Sequence, residues 1–312
     1  MFIKTFKQVN KEDAGIAGGK GASLGEMTQA GIPVPPGFVL LAEAFEQFIR
    51  ETDLDVEIDS IFHKVKHKDM NSVEAASEKI QELILEAKMP KDIADAIKKE
   101  FKKLKAKYVA VRSSATAEDS STAAWAGQLD TYLNTTDKNL LQNVKKCWAS
   151  LFTPRAIFYR YEKKMHKLKV SVAVVVQKMV QSEISGVSFS VHPVTQDRNQ
   201  LIIEACIGLG EALVGGEITP DSYVAEKSPL RLIDKNIGGQ DRALVRGTSG
   251  NVWKKLSTSA ADKQKLTDKQ ILQLSELVKK IEKHYGFPVD VEWAKEGSKF
   301  YVVQSRPITT LS

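Results

Sequence analysis

Cysteine is scarce in this sequence: only Cys147 and Cys206 occur among 312 residues, each within an apolar segment. Two isolated cysteines exclude a disulfide framework and a cysteine-based metal or redox motif, and they favour a reducing compartment. Long apolar runs are also lacking, because even a stretch such as VSVAVVVQ is too short to span a bilayer. The first residues, MFIKTFKQVN, lack the apolar segment of a secretory signal. These absences predict a soluble, cytoplasmic protein without a membrane partner.

The excess of basic residues is small, with 45 Lys and Arg against 39 Asp and Glu, a net charge of +6. Lysines are concentrated in the helical stretches KKEFKKLKAKY and YEKKMHKLK. A nucleic-acid interface is one interpretation of this basic excess, but neither stretch has interleaved aromatic residues or a recognition motif. We therefore predict lysine-rich helix faces in contact with solvent and no nucleic-acid partner. The same faces could receive an acidic partner domain.

The length is sufficient for two domains or two lobes. A hydrophobic content of 42% and a charged content of 27% are ordinary for a globular protein. Residues 53–107 have a helical period and many lysines, and they predict a helical cap on a mixed lobe. The run VSVAVVVQKMV predicts a strand buried on both faces, with Gln177 at its exit. Such an exit is suited to meeting an adenine edge, although the run alone does not establish this.

The segment PVDVEWAKEGSKFYVVQSRPIT predicts a hairpin of strands 288–295 and 299–306 around a three-residue turn. Its alternation predicts one buried face and one face with carboxylates, an amide and a guanidinium. A regular register would pair residue 292 with 302 and 290 with 304, making Glu292 and Gln304 diagonal neighbours with Arg306 beyond them. Two oxygen ligands beside a cation suit a magnesium-bound polyphosphate. A polar, solvated sheet face remains the alternative.

A glycine-rich segment, GGKGASLGEM, surrounds Lys20 and precedes a helix predicted over residues 23–30. Glycines allow backbone N–H groups to approach an anion, and Lys20 adds a positive charge. The spacing is not that of a Walker A loop, and Gly21 stands where Ser or Thr would bind magnesium. Likewise, Gly208-Leu209-Gly210 lacks the third glycine of a dinucleotide fingerprint. A glycine-rich turn with an exposed lysine is the alternative interpretation.

The segment YVAVRSSATAEDSSTAAWAGQLDTYLN predicts a buried strand, 108–112, that ends at Arg112, then a serine-rich loop and a returning strand, 127–133. A guanidinium at a strand end followed by such a loop suits phosphate capture, because arginine binds phosphate in a bidentate manner. A flexible linker with a structural arginine is the alternative.

Seven motifs in this order resemble one known family: GGKGASLGEM, VPPGFVL, VRSSATAEDS, AGQLDTYLN, GVSFSVHPVT, GLGEALVGGEITPD and DVEWA…VVQSRPIT. They resemble the N-terminal nucleotide-binding domain of phosphoenolpyruvate synthase, pyruvate phosphate dikinase and rifampicin phosphotransferase. The resemblance covers residues 4–309. It implies an α+β, ATP-grasp-like fold with ATP in the cleft between two lobes. The lobes would comprise residues 1–180, with the helical cap, and residues 181–312.

The resemblance also implies roles for residues in the first lobe. Lys20 and Arg112 match the phosphate-binding basic residues of the family. Gly127 and Thr131 match positions in its nucleotide-contacting segment. Gln177 matches the hinge near adenine. The implied cofactors are ATP and Mg²⁺.

In the second lobe, the resemblance implies that Glu292 and Gln304 bind magnesium and that Arg306 binds phosphate beside them. Glu204 and Asp290 match less directly and are candidate polar neighbours. These assignments turn the polar face of the predicted hairpin into a nucleotide site.

The family reaction splits ATP into AMP and phosphate, while a histidine on a swivelling domain carries the β-phosphoryl group to a small-molecule acceptor such as pyruvate. The carrier has a T-x-x-S-H type motif, which none of the five histidines of this sequence occupies. His192, in SVHPVT, is therefore not proposed as the phosphorylated residue. The predicted function is a dikinase-type phosphotransferase component that needs a histidine-carrier partner. A phenylphosphate synthase- or rifampicin phosphotransferase-like subunit and a non-catalytic nucleotide-sensing module are the alternatives.

Overall fold

A computed structural model describes residues 2–116, 130–162, 171–248, 250–309 and 311. The chain divides into two units, of which the first contains Met1–Glu26 and Pro36–Met179 and the second Met27–Pro35 and Val180–Ser312. Residues 27–35 thus group with the second unit, whereas the predicted first lobe comprises all residues up to 180. Among the described residues, none of the helices has the length and apolarity needed to cross a membrane.

In its described residues, the first unit combines five strands with seven α-helices. Its elements are β1 (Ile3–Thr5), α1 (Ala14–Gln29), β2 (Gly37–Leu40), α2 (Ala42–Glu51), α3 (Leu54–Lys64), α4 (Met70–Glu86), α5 (Lys91–Lys103), β3 (Val109–Ala115), β4 (Thr131–Thr135), α6 (Leu140–Ala149), α7 (Pro154–Glu162) and β5 (Val172–Lys178). The strands form one antiparallel sheet in the order β1-β2-β5-β3-β4. The predicted helical cap corresponds to α3, α4 and α5.

One face of this sheet packs on helices α2 to α7 and forms the main hydrophobic core. Alternate residues of β3 and β5, including Val111 and Val174, point into this core. Its centre contains Trp148, whose ring lies 4.8 Å from that of Phe48, and both side chains are fully buried. The opposite face of the sheet packs on α1, because Gly21 lies against Val39 of β2. One face of the sheet is therefore covered by the hydrophobic core. The other face, beside α1, is the one on which a site can form.

The described part of the second unit contains eight strands and three α-helices. They are β6 (Ile184–Phe189), β7 (Gln200–Ile207), α8 (Glu211–Val214), β8 (Asp221–Lys227), β9 (Leu230–Asn236), β10 (Arg242–Arg246), β11 (Asn251–Lys255), α9 (Thr258–Ala261), α10 (Asp268–Tyr285), β12 (Val289–Glu296) and β13 (Lys299–Pro307). Six strands form an antiparallel sheet in the order β13-β12-β6-β7-β8-β9, and β10 and β11 form a separate hairpin.

Helix α10 covers one face of the six-stranded sheet. Its buried side chains, including Leu274 and Val278, pack with Ile203, Tyr223 and Trp293 of the sheet. A capping box at Thr267 begins the helix, and Gly286, with φ of 76°, ends it. The opposite face carries the even-numbered residues of β12.

Residues 27–35 lie beside the last strand of this sheet. The N–H of Val302 in β13 donates to the carbonyl of Pro33 at 2.9 Å. Nζ of Lys280 in α10 donates to the carbonyl of Gly31 at 3.2 Å. This early segment is therefore an integral part of the second unit.

Candidate functional site

The hairpin of β12 and β13 pairs Glu292 directly with Gln304, and Asp290 directly with Arg306. The predicted register, 292 with 302 and 290 with 304, is wrong for two reasons. The turn contains two residues, Gly297 with φ of 58° and Ser298, rather than three. The ladder is also irregular after Glu292, where Val303 is an extra residue on β13.

This bulge decides which side chains share a face. Directly opposite residues of an antiparallel pair point to the same side of the sheet. Val302 therefore shares the α10 face with its partner Trp293, and both side chains are fully buried. Gln304, two positions later, nevertheless shares the other face with Glu292. Directly opposed Cβ atoms lie about 4.5–5.5 Å apart, closer than the predicted diagonal neighbours would be.

Glu204 belongs to the same row of side chains across the sheet. Glu292 pairs with Val187 of β6, and Val187 pairs with Glu204 of β7, so all of these side chains point to one face. We define the Glu292 surface as Glu204, Asp290, Glu292, Gln304 and Arg306. Burial raises the pKa of the Glu204 carboxyl, and the charge of Asp290 raises it further. The surface is thus partly desolvated and rich in negative charge.

Asp290 holds Arg306 in place on this surface. Nε of Arg306 donates to Oδ2 of Asp290 at 2.8 Å, and the aspartate side chain is 9% exposed while the arginine side chain is 43% exposed. The guanidinium therefore reaches solvent from a buried anchor. Oδ1 of Asp290 is buried and has no hydrogen-bond partner in the described part of the chain, which leaves a carboxylate oxygen available.

The donors of the Glu292 surface fit a magnesium ion chemically. Carboxylate and amide oxygens are its usual protein ligands, and Mg²⁺ commonly takes one or two carboxylates together with substrate phosphates and water. Within the described ranges, no group of three or more His, Cys, Asp or Glu side chains is arranged to hold a metal ion. Glu292 and Gln304 would therefore bind the ion together with a polyphosphate. The buried Oδ1 of Asp290 is a further candidate oxygen ligand.

In the first unit, Lys20 lies at the beginning of a helical segment. The structure has one helix, Ala14–Gln29, interrupted at Gly18, which has φ of 70° and ψ of 166°. The helix thus begins earlier than the predicted residue 23, because Gly18 alone absorbs the break. Lys20, half-buried, is the second residue after that break rather than part of an irregular turn.

Arg112 lies inside β3, whereas the sequence predicts that the strand ends at Arg112. The strand continues to Ala115, because Ser113, Ser114 and Ala115 each pair with β5. Arg112 is 7% exposed, and its Nη1 donates to Oε1 of Gln177 at 3.4 Å. The two side chains share the sheet face that packs on α1.

Gln177 and Thr131 occupy the same face as Arg112. Thr131 of β4 pairs directly with Arg112 and is exposed. Gln177 is 2% exposed, and its Nε2 has no hydrogen-bond partner in the described part of the chain. A buried amide donor of this kind can bind an acceptor such as a ring nitrogen of a base. Gly127 and the later part of the predicted serine-rich loop, residues 117–129, lie outside the described residues.

The structure adds Ser114, which lies in the predicted polar loop and is not among the predicted site residues. Its hydroxyl is fully buried, donates to the carbonyl of Ala17 at 3.0 Å and accepts from the N–H of Gly21 at 3.2 Å. This residue joins β3 to the glycine-rich segment around Lys20. The available signal was the lack of Gly, Pro, Asn and Asp in VAVRSSA, which permits the strand to continue through the serines.

His192 closes its own loop. Its Nδ1 accepts hydrogen bonds from the N–H groups of Val194 and Thr195, at 3.3 and 3.2 Å. In the neutral ring this arrangement leaves the proton on Nε2. The contacts give His192 a structural role that requires no phosphorylation.

Comparison with known proteins places these features in a family. The profile described as "Pyruvate phosphate dikinase, AMP/ATP-binding domain" matches residues 14–312. Among curated proteins, the chain is 46% identical over 318 residues to "Probable phosphoenolpyruvate synthase" of Methanocaldococcus jannaschii, covering 99% of this chain and 27% of the relative. It is 42% identical to phosphoenolpyruvate synthase of Pyrococcus furiosus, covering 99% and 44%. It is 39% identical to rifampicin phosphotransferase of Bacillus cereus, covering 99% and 36%.

The chain thus spans less than half the length of these three relatives. Two solved structures share 10% and 12% identity with it, namely D-alanine-D-alanine ligase of Helicobacter pylori and D-alanyl-alanine synthetase A of Vibrio cholerae. They cover 65% and 70% of this chain, and this chain covers 42% and 47% of them. Their TM-scores, 0.28 and 0.30, are too low to support a conclusion. The predicted class, α+β and ATP-grasp-like, is confirmed by the family match.

Proposed function

This chain belongs to the pyruvate phosphate dikinase AMP/ATP-binding domain family, and from that membership we propose that it is the ATP-binding, phosphotransferring component of a dikinase-type system. The observation that carries the proposal is the direct pairing of Glu292 with Gln304 beside the Asp290–Arg306 ion pair. It combines hard oxygen donors with an anchored guanidinium on one sheet face, which is what a magnesium-bound polyphosphate requires.

In the proposed reaction the β-phosphoryl group of ATP is transferred to a histidine outside this chain and AMP leaves. The γ-phosphoryl group is transferred to water and is released as phosphate. Lys20, Arg112 and Arg306 bind the phosphates and neutralise their charge. Gln177 binds the adenine through its buried amide. Glu292 and Gln304 hold Mg²⁺, which supplies further neutralisation of phosphate charge when bound. These roles follow from the family motifs, and the geometry of each unit supports them.

Charge neutralisation and positioning are the main requirements of phosphoryl transfer. Fixed side chains meet them best, because a preorganised charge needs no rearrangement during the reaction. The Asp290 contact fixes Arg306, and the Gln177 contact fixes Arg112. A general base from this chain is unnecessary, because the acceptor histidine arrives from the partner with its own nucleophilic nitrogen.

The acceptor of the phosphoryl group lies on a phosphohistidine-carrier domain or subunit in this proposal. The relatives contain more than half of their length outside the matched region, which leaves room for such a domain. A small molecule, pyruvate or another acceptor, would then receive the group from that carrier. A phenylphosphate synthase- or rifampicin phosphotransferase-like system would use the same chain with another final acceptor.

Labelled ATP tests the proposal directly. The protein is incubated with β-labelled and, separately, γ-labelled ATP, with and without a candidate histidine-domain protein. We expect the β label on the partner, the γ label in free phosphate, and AMP as the nucleotide product. ADP as the only product would contradict the proposal. ATP binding without turnover with any partner would favour the nucleotide-sensing module.

A pair of variants assigns the activity to the Glu292 surface. Glu292→Gln removes one charge from the surface and should abolish most of the label transfer. Glu276→Gln removes a charge of the same type from the exposed side of α10, where Glu276 forms an ion pair with Lys279 at 3.3 Å. This control should transfer label at the rate of the unaltered protein.

A further inference from the structure

A single buried hydroxyl fastens both ends of the segment that carries Lys20. Oγ of Ser114 donates to the carbonyl of Ala17 at 3.0 Å and accepts from the N–H of Gly21 at 3.2 Å. Between these two points lie only Gly18, Gly19 and Lys20. The position of Lys20 is therefore set by a contact made from a neighbouring strand.

The contact has the form of a helix cap supplied from another element. A helix normally begins with a residue of extended conformation whose side-chain oxygen accepts from the N–H two or three residues later. Gly18 occupies that position, with φ of 70° and ψ of 166°, but has no side chain. Ser114 provides the missing oxygen to Gly21, the third residue after Gly18.

The packing at Gly18 explains why Ser114, rather than residue 18 itself, provides the capping oxygen. A Cβ on Gly18 would lie 2.1 Å from Oγ and 2.3 Å from the carbonyl oxygen of Ser114. A Ser or Asp at position 18, the usual cap residues, therefore cannot fit while β3 stays in place. Among the described residues, Ser114 therefore provides the cap that a side chain at position 18 cannot.

Ser114 is also two residues from Arg112 on β3, so both side chains point to the same face of the sheet. We propose that Ser114 is a positioning residue for phosphate binding, which fixes Lys20 of the helix relative to Arg112 of the strand. This inference rests on the proposed function, because it assigns Ser114 a task only if Lys20 binds the phosphates of ATP.

The test is a double-mutant cycle on nucleotide affinity. The full chain is prepared unaltered and as Ser114→Ala, Lys20→Ala and the double variant, and the Kd for ATP with magnesium is measured by calorimetry. We expect Ser114→Ala to weaken ATP binding by about tenfold. In the Lys20→Ala background the same change should have less than a twofold effect, because the residue acts through Lys20.

A second ligand separates positioning from general damage. Adenosine has no phosphate, so its affinity, measured by ligand-observed NMR, should be the same for Ser114→Ala and the unaltered protein. Ser150→Ala is the matched control. Ser150 is 1% exposed, and its hydroxyl donates to the carbonyl of Cys147 at 2.8 Å and lies 3.1 Å from the hydroxyl of Ser113. It thus contacts β3 from the core side of the sheet, opposite to the face with Ser114 and Arg112. This variant should leave the Kd for ATP unchanged at a comparable loss of Tm.

Ser114→Cys covers the case in which Ser114→Ala does not fold, since a thiol keeps the shape with weaker hydrogen bonds. It should weaken ATP binding to an intermediate extent with adenosine binding unchanged. Additive effects of Ser114 and Lys20 variants, or equal losses for ATP and adenosine, overturn the inference. Failure of the unaltered chain to bind ATP overturns the proposed function itself, and is recognised before any variant is compared.

Discussion

Arg306 shows how one neighbour determines what a side chain can do. Its Nε is occupied by Asp290 at 2.8 Å, while 43% of its side chain remains exposed. The contact with Asp290 thus fixes the orientation of the two terminal nitrogens, Nη1 and Nη2. Lysine carries the same charge but has a single terminal ammonium, so it cannot hold Asp290 and present a planar fork at once.

Substitution of Arg306 should therefore separate charge from geometry. We expect Arg306→Ala to reduce the rate of label transfer to the histidine partner by roughly 10²–10³, as for other removed electrostatic donors. Arg306→Lys should restore only part of that loss. Single-turnover transfer from β-labelled ATP measures both variants. Full activity of Arg306→Lys would show that charge alone is needed at this position.

Glu204 should make the protein less stable at neutral pH. Its pKa is raised by burial and by Asp290, so the folded state favours the protonated carboxyl. The stabilisation from such a group is complete below the unfolded pKa, about 4.3, and is lost as the pH rises through the higher folded pKa. Glu204→Gln should then raise Tm at pH 7, with the gain shrinking toward pH 4.

Thermal unfolding from pH 4 to 8 measures this difference. Glu276→Gln, at an exposed position on α10, serves as the control and should show no such pH-dependent gain. A gain for Glu204→Gln that stays constant across the range would mean that ionisation is not its cause.

At the scale of single elements, alternation and period predicted most of the structure. The apolar run 172–178 is a strand whose first six residues are buried, and the hairpin strands begin and end within one residue of their predicted limits. The turn and the bulge were not predictable, because KEGSK is compatible with two- or three-residue turns. The bulge also makes residues 302 and 304 point to opposite faces, whereas strict alternation would place both on one face.

Helix α10 allows the stability of the second unit to be changed without touching the Glu292 surface. Thr267 accepts from the N–H of Gln270 at 3.3 Å at its N-terminus. We expect Thr267→Ala to lower the free energy of unfolding by about 1 kcal/mol. Because α10 covers the opposite face of the sheet, the Kd for ATP should not change. Denaturant unfolding and calorimetry provide the two values, and Thr267→Ser should restore stability.

At the scale of the whole molecule, ATP should stabilise the fold in a metal-dependent manner. A ligand at 100 times its Kd adds about 2.7 kcal/mol to the free energy of unfolding. We expect Tm to rise with ATP and magnesium and to rise much less with ATP and EDTA. In Glu292→Ala the two shifts should be equal, because a metal ligand is missing. A difference preserved in that variant would place the magnesium site elsewhere.

The candidate residues of the two units could be identified from the sequence only through the family motifs. Lys20 and Arg112 precede Glu292 and Gln304 by more than 170 residues, and no local pattern connects positions so far apart. Periodicity also placed Arg112 at a strand end, because a serine-rich stretch resembles a loop although its small side chains fit a buried strand. The buried position of Ser114 was not predicted for the same reason.

The pairing of Val302 with Pro33 has a consequence for how the protein is made. These residues are joined by a hydrogen bond of 2.9 Å, although 269 positions separate them. At about 5–20 residues per second, a ribosome needs roughly 15 to 50 s to synthesise that interval. During this time residues 27–35 have left the ribosome without the strand that they accompany. The second unit can complete its folding only after β13 emerges, so its earliest segment is among the last to reach its final place.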